Sequence, residues 1–278
     1  MLKMTNEKFS VSMCVYGKDN PDWFREAVNS ILSQSVPPDE VVLVVDGPVP
    51  DTLGDVIDSF ENGDTFRVIR LPENRGHGDA RRIGLANCTH EIVALMDADD
   101  IALPDRFEKQ IAAMTKDPAL SIIGGKIAEF MDAEDNIIGY RTVPTAHGDI
   151  CSYMKRRCPF NQMTVMFRKS HVEEAGGYLD WYCDEDYYLW ARMYLAGMRF
   201  ANLPDTLVHA RVNADTYCRR GGKRYFQSEA KLQGYMLKKK IISLPRYLIN
   251  VTERFILQIL MPNSLRSLVF KKFARSKT

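Results

Sequence analysis

The sequence predicts an α/β fold: a mostly parallel, Rossmann-like sheet flanked by helices, followed by a helical C-terminal extension. Apolar segments of strand length alternate with amphipathic segments of helical length over the first hundred residues, which is typical of βαβ units. One segment, residues 40–46, is apolar almost throughout, as expected for a strand buried on both faces of a parallel sheet. The length of 278 residues suits one large domain, alone or with an appendage.

The elements of the first half follow one another in a regular order. Asn20 is suited to cap the first helix and Pro21 to open it. Strands are predicted over residues 9–16, 40–46, 66–71 and 91–96, and helices over 21–35, 51–61 and from about 78 to 87. After Pro104 the pattern weakens, and it predicts helices over 105–116 and 184–197 and strands over 120–130, 137–142 and 163–168.

Charge is distributed unevenly along the chain. The totals are 37 basic and 36 acidic residues, which nearly cancel. From residue 236 onward there are ten basic residues and a single acid, Glu253, so the preceding part has 27 basic and 35 acidic residues. Such an asymmetry is typical of a segment that binds nucleic acid or a membrane surface.

The cysteines and the N-terminus indicate a cytoplasmic location. The six cysteines are scattered without CxxC spacing, so neither a zinc site nor a thioredoxin-like motif is expected. Unpaired cysteines fit a reducing compartment. The first nine residues have no apolar core, and no uninterrupted apolar run approaches 18 residues, so we expect neither a signal peptide nor a transmembrane helix.

Polar residues follow three of the predicted strands. The first strand ends at Val15 and Tyr16, the second at Asp46, and the fourth at the acidic cluster of residues 97–100. Ligands of open α/β sheets bind beyond the carboxyl ends of the strands. We therefore expect these three segments to line one cleft.

The acidic cluster is the sharpest chemical signal. Asp97 and Asp99 lie on the same side of an extended chain, and carboxylates this close repel unless a cation neutralises them. Mg²⁺ and Mn²⁺ prefer such oxygens and usually take one or two carboxylates together with substrate phosphates. The alternative is a solvated turn, because Asp is common in turns. The role of Asp100 stays open, and capping of the next helix is one possibility.

Three further segments carry weaker signals. Asp46 is suited to accept hydrogen bonds from a nucleoside, or it is simply a turn former before a glycine. The loop 74–82 combines glycines with three arginines, which suit phosphate, but it lacks the ending of a Walker loop. The three acids at 184–186 either supply a general base for an acceptor hydroxyl or complement the dipole of a helix start.

Together these segments resemble family 2 glycosyltransferases, the inverting enzymes of GT-A fold that assemble bacterial polysaccharides. The resemblance covers about residues 10–213. Its motifs are residues 11–16, 44–47, 74–76 with 80–81, 97–100, 163–168 with 176–178, and 185–186 with 189–190 and 192. The chain is most similar to the cytoplasmic enzymes that extend lipid-linked O-antigen or exopolysaccharide units.

The resemblance implies a role for each matching position. Asp186 would be the catalytic base, and Glu185 would help to position the acceptor. Asp99 would bind the Mn²⁺ or Mg²⁺ ion, with Asp97 and His209 as further candidates. The positions implied to contact the nucleotide sugar are Val15, Tyr16, Asp46, Asn74, Gly76, Arg81, Asp97 and Ala98.

In these terms residues 1–235 form the GT-A domain, with a nucleotide-binding half over about 8–103 and an acceptor half over about 104–235. Residues 236–278 form a basic amphipathic helical tail. Six apolar residues of the tail recur at helical spacing: Leu244, Leu248, Val251, Phe255, Ile259 and Leu260. This pattern predicts a helix at the membrane interface, attracted to anionic lipid. Packing on the catalytic domain, or a homodimer contact, is an equally open alternative.

We therefore predict a metal-dependent hexosyl- or N-acetylhexosaminyltransferase at the inner face of the plasma membrane. Its donor would be a nucleotide sugar, with UDP expected, and its acceptor a lipid-diphosphate-linked saccharide, with no nucleic-acid partner. One rival is a catalytically inactive nucleotide-binding membrane adaptor. Another is a sugar-phosphate nucleotidyltransferase, but those enzymes carry a glycine-rich basic loop after the first strand, which residues 16–20 match poorly.

Overall fold

The computed structural model describes residues 7–213 and 221–262. The strands in this part of the chain are β1 (Phe9–Val15), β2 (Glu40–Val45), β3 (Phe66–Arg70), β4 (Ile92–Met96), β5 (Ile101–Ala102), β6 (Leu120–Phe130), β7 (Ile137–Arg141), β8 (Met166–Arg168) and β9 (Arg199–Arg211). The helices are α1 (Pro21–Leu32), α2 (Asp51–Phe60), α3 (His77–Asn87), α4 (Arg106–Lys116), α5 (His147–Met154), α6 (Lys169–Glu174), α7 (Glu185–Leu195), α8 (Lys223–Lys238) and α9 (Leu244–Phe255).

These strands form one sheet in the order β3-β2-β1-β4-β8-β6-β9-β5, with β7 paired to β6. The four strands of the first half, β3, β2, β1 and β4, are parallel throughout. In the second half β8 runs antiparallel to β4 and β6, whereas β9 runs parallel to β6. The carboxyl ends of β1, β2 and β4 therefore lie side by side at one edge, as the sequence predicts.

Both faces of the sheet are covered, which explains the apolar run of β2. Val41, Leu43 and Val45 belong to one buried cluster, together with residues of α1, α2 and α4. Val42 belongs to a second cluster, which includes residues of α3, α5, α7 and α8. Successive side chains of a strand point to opposite faces, so an uninterrupted apolar run is needed when both faces are buried.

The second half departs from the predicted elements. The strand expected over 163–168 begins instead with a 3₁₀ turn, Gln162–Thr164, and only Met166–Arg168 forms a strand. The longest strand, β9, was not predicted, because Pro204 and its polar neighbours interrupt the alternation. The register of β9 against β6 shifts at several points, so its pairing depends on the partner strand.

The tail packs on the body through apolar residues near its start, since Met236, Ile241 and Ile242 belong to the second buried cluster, and through polar residues of α9. Asn250 and Arg254 of α9 donate to the backbone carbonyls of Lys155 and Arg156, over 2.8 Å and 3.0 Å. Helix α8 runs across the predicted boundary at residues 235–236, and that division stays a prediction. The last part of the predicted tail, residues 263–278, lies outside the described residues. Within the described ranges, no helix is both long and apolar enough to cross a membrane.

Candidate active site

The end of β2 organises the loop that leads into α3. Asp46 is 6% exposed, and its carboxylate accepts hydrogen bonds from the backbone amides of Arg75, at 2.7 Å, and Gly76, at 2.9 Å. Asn74 returns a bond to the carbonyl of Asp46 at 3.1 Å. Asp46 thus holds the loop that carries two other predicted nucleotide-contacting residues, while its own contact with a nucleoside stays a prediction.

Gly47 allows this loop to approach β2. Its φ of +89° lies in the left-handed region, and a Cβ added there would be 2.6 Å from the backbone nitrogen of Asn74. Both the conformation and the lack of space therefore require glycine. The first strand joins the same edge, because the carbonyl of Val15 accepts from the amide of Asp46 at 2.8 Å.

Arg81, on α3, connects the end of β4 with the start of α7. The guanidinium is buried, and its Nη2 atom lies 3.2 Å from Oδ1 of Asp97. Its Nε atom lies 3.7 Å from Oε1 of Glu185. Burial is the largest single influence and opposes the charged form of Arg81, but the negative charges around it, Asp97 foremost and then others such as Glu185, together outweigh burial and raise the pKa of Arg81 above its usual range.

Carboxylates crowd together after β4. Asp97 and Asp99 are half-buried, whereas Asp100 is 3% exposed. Burial, together with the negative charges of Asp99 and Asp97, raises the pKa of Asp100 well above its usual range. Asp100 caps no helix; its Oδ1 atom accepts a 2.8 Å bond from the backbone amide of Arg211. This answers the question that the sequence left open for Asp100.

The carboxylates of Asp97 and Asp99 suit a divalent cation. Their charges raise the pKa of the buried neighbour Asp100, which shows how closely the negative charge is concentrated. Within the described residues, no group of three or more His, Cys, Asp or Glu side chains is placed to hold a metal. The Nδ1 atom of His209 lies 2.8 Å from Oε1 of Glu134, so only its Nε2 atom is left for a metal, and that role stays a prediction. The donors present therefore fit only an ion that takes further ligands from substrate phosphates.

The predicted base lies at the start of α7. Asp186 is half-buried; its Oδ1 atom accepts from the amide of Tyr187 at 2.6 Å, and the thiol of Cys158 lies 3.8 Å from its Oδ2 atom. Burial and the negative charge of Glu185 raise the pKa of Asp186 to about 6. A carboxylate of this pKa is ionised at neutral pH and is a stronger base than an ordinary Asp.

The two acids beside the base are more deeply buried. Glu185 is 8% exposed, and burial raises its pKa although the charge of Arg81 opposes the change. Asp184 is 4% exposed, and burial and the charge of Glu229 raise its pKa well above its usual range. Asp184 makes no capping bond to α7, so the three acids are not a simple helix cap. The structure thus brings Glu185 and Asp186 close to Asp97 through Arg81.

Sequence reasoning missed two residues of this site. Arg141, at the end of β7, donates a 3.2 Å bond to the carbonyl of Cys158, and its charge lowers the pKa of Asp186. Tyr178 belongs to the motif at residues 176–178, but the sequence predicted no role for it. Its hydroxyl accepts a 3.1 Å bond from Gln162, and burial raises the pKa of that hydroxyl. Both residues reach the site only through tertiary packing, and no local pattern marks them.

The parallel sheet edge, the loop held by Asp46 and the carboxylates joined by a buried arginine define a nucleotide-binding transferase of the α/β class. The family described as glycosyl transferase family 2 matches residues 10–173, and the glycosyl transferase family group 2 matches residues 92–274. The chain belongs to glycosyl transferase family 2 and is a glycosyltransferase. This confirms the family predicted from the sequence.

Two relatives match almost the whole chain. An uncharacterised glycosyltransferase of Haemophilus influenzae is 42% identical, over 96% of this chain and 99% of its own length. The UDP-Gal:α-D-GlcNAc-diphosphoundecaprenol β-1,3-galactosyltransferase of Escherichia coli is 37% identical, over 96% of this chain and 97% of its own. In both cases the similarity extends well beyond the motifs.

A solved structure confirms the fold. The structure of S. aureus TarS, residues 1–349, in complex with UDP-GlcNAc superposes with a TM-score of 0.63. The match covers 90% of this chain and 72% of that one, at 18% sequence identity. The likeness shows a shared architecture, the predicted GT-A fold.

The raised pKa of Asp186 predicts the pH dependence of glycosyl transfer. Because the base must be ionised, kcat/KM should fall about tenfold per pH unit below pH 6 and level off above it. The negative charge of Glu185 contributes to this midpoint after burial. Asp186→Asn should lower kcat by about 10²–10⁴-fold above pH 6.

The matched control is Asp64→Asn, which should behave as the wild type. Asp64 is exposed and lies just before β3, so it lies at the amino ends of the parallel strands, away from the site. A rate that is independent of pH between 5 and 7, or near-normal activity of Asp186→Asn, would show that Asp186 is not the base.

Proposed function

We propose that the chain transfers a sugar, with inversion, from a UDP-sugar to a hydroxyl of a lipid-diphosphate-linked saccharide. The observation that carries this proposal is the contact of Arg81 with both Asp97 and Glu185. It places the nucleotide edge of the sheet within one side chain of Glu185, the residue next to the predicted base Asp186. The named activity of the Escherichia coli relative supports the choice of donor and acceptor.

On the donor side, the loop held by Asp46 and the ends of β1 and β4 would bind the nucleotide. Arg81 is positively charged, and its second carboxylate partner leaves it anchored when a ligand approaches Asp97. Gly76 precedes the first turn of α3, and the positive end of the helix dipole favours a negatively charged group there. These features suit a nucleoside diphosphate.

A divalent cation fits this donor side. Asp99, with Asp97, would hold Mn²⁺ or Mg²⁺ together with oxygens of the donor diphosphate. The ion would supply positive charge at the departing nucleoside diphosphate. The rest of the donor site would then need to provide orientation and exclusion of water, which the buried β4 segment and Ala98, only 7% exposed, are suited to provide.

On the acceptor side, Asp186 would take the proton of the attacking hydroxyl. Glu185 keeps that proton affinity high through its negative charge, whereas Arg81 and Arg141 limit the rise. Inverting transfer requires one base and a single displacement at the anomeric carbon, so no covalent sugar intermediate is needed. One ionised carboxylate of raised pKa meets that requirement.

The outer face of α9 is suited to a membrane surface. Asn250 and Arg254 of α9, and Gln258 of the π-turn that follows it (Ile256–Leu260), face inward and are buried, which reverses the usual pattern of a surface helix. The large apolar side chains that α9 and the π-turn after it expose are Leu244, Leu248, Ile249, Phe255, Ile256, Ile259 and Leu260. With the basic residues of the tail, this face would bind anionic lipid and keep the enzyme beside its acceptor.

The direct test is transfer from UDP-galactose to N-acetylglucosamine linked through α-diphosphate to a decyl chain, followed by NMR of the product. We expect a β-linked disaccharide, the inverted configuration. Removal of divalent ions with EDTA should lower the rate at least tenfold, and Mn²⁺ should restore it. Asp99→Ala should respond weakly to Mn²⁺, whereas the exposed control Asp64→Ala should respond fully.

A retained configuration would contradict the inverting mechanism. If no UDP-sugar yields a product, and calorimetry shows no metal-dependent binding of UDP, the adaptor hypothesis would replace the proposal. If EDTA does not affect transfer, the proposed metal dependence would be wrong, whereas the proposed donor, acceptor and base would stand.

The membrane proposal predicts binding to vesicles that contain phosphatidylglycerol. Leu248→Glu should weaken co-sedimentation about tenfold, because burying a leucine contributes about 1.5–3 kcal/mol and 1.4 kcal/mol is tenfold. Leu32→Glu is the matched control, since Leu32 is an exposed leucine of α1, away from the tail. Equal binding of Leu248→Glu and the wild type would exclude this face as the membrane contact.

A further inference from the structure

Three consecutive basic residues, Lys155, Arg156 and Arg157, lie between the tail and the catalytic base. They follow α5, and all three are exposed. The carbonyls of the first two accept bonds from α9, and the next residue, Cys158, has its thiol 3.8 Å from Oδ2 of Asp186. This segment, residues 155–157, therefore connects the outward apolar helix to the base within four residues of chain.

Positive charge is concentrated along this segment in a part of the chain that is acidic overall. Within the described ranges, neither Lys155 nor Arg156 forms an ion pair with a carboxylate. Arg141 adds a further cation on the other side of Cys158, whose carbonyl it contacts at 3.2 Å, and its charge reaches Asp186. Arg141 and the basic segment thus both adjoin Cys158, the residue whose thiol lies beside the base.

The chemistry of these cations suits a diphosphate. Arginine presents a planar set of donors that matches phosphate oxygens in pairs. The donor diphosphate is assigned to the end of β4, on the other side of Arg81, so the cations that adjoin Cys158 lie outside the donor site. In the proposed acceptor, the sugar that carries the attacking hydroxyl is itself joined to a diphosphate, and the diphosphate to a lipid.

We propose that Arg156 and Arg157, together with Arg141, bind the diphosphate of the lipid-linked acceptor; the inference rests on the proposed function. The order of features on the protein then follows the order of groups in the substrate. Asp186 faces the hydroxyl, the basic segment faces the diphosphate, and the exposed face of α9 faces the lipid. The basic segment, which lies between the other two, gives the specificity for a sugar linked to a diphosphate.

The test compares two soluble acceptors in the absence of vesicles: N-acetylglucosamine linked to a decyl chain through α-diphosphate, and the uncharged decyl glycoside of the same sugar. The measured quantity is the ratio of kcat/KM for the charged acceptor to kcat/KM for the uncharged one. Arg156→Ala/Arg157→Ala should lower this ratio at least tenfold. Arg156→Lys/Arg157→Lys should lower it less than the alanine pair does, because the charge is retained while the paired donors are lost.

The control Arg25→Ala/Lys116→Ala removes two exposed charges elsewhere and should leave the ratio unchanged. A ratio that stays within twofold of the wild type in Arg156→Ala/Arg157→Ala overturns the inference. So does a wild type that uses both acceptors equally, although the proposed glycosyl transfer would then stand. If the alanine pair lowers only vesicle binding, the segment recognises phospholipid headgroups instead. A wild type that binds UDP but uses neither acceptor contradicts the proposed function itself.

Discussion

The site depends on one buried cation among carboxylates. Arg81 extends from α3 between the end of β4 and the start of α7, two elements nearly ninety residues apart in the chain. Its contacts with Asp97 and Glu185 offset part of the free-energy cost of removing those two acids from water and of placing their negative charges close together. Without this charge, the two halves of the sheet would bring uncompensated carboxylates together at the place where substrates must bind.

Helix α9 has a polar inner face and an apolar outer face, and both bear on the site. Because α9 uses Asn250 and Arg254 to contact the backbone of residues 155–156, its apolar side chains remain outside. The same contacts fix the basic segment that leads to Cys158 and Asp186. Binding of lipid, recognition of diphosphate and removal of the proton are thus assigned to neighbouring parts of one surface, and their order matches a lipid-linked sugar.

The first half of the fold could be predicted from the sequence, since its signals are local. The apolar run of β2 and the Asp cluster after β4 each identify a buried strand or a strand end without knowledge of any partner. The second half could not be predicted in this way. β9 is held by its pairing with β6 despite Pro204, and the inward polar face of α9 has meaning only when the backbone that it contacts is known.

The same limit applies to the candidate site. Asp97, Glu185 and Asp186 were found because acids at a strand end or helix start are visible in the sequence, and Arg81 because it matches a family motif. Arg141 and the pairing of His209 with Glu134 depend on contacts between distant segments, which spacing does not reveal.

The unfolding free energy of Arg81→Met as a function of pH tests the central claim most directly. Removing the cation leaves the buried carboxylates unpaired, so the variant should be less stable than the wild type by roughly 2–4 kcal/mol at pH 8. The missing charge also raises the pKa of Glu185 further in the folded state, since Arg81 normally opposes that rise. Folded carboxyls of raised pKa lose stability as pH increases, so the difference from the wild type should shrink toward pH 5. A difference that is the same at pH 5 and pH 8 would mean that Arg81 contributes packing and not charge.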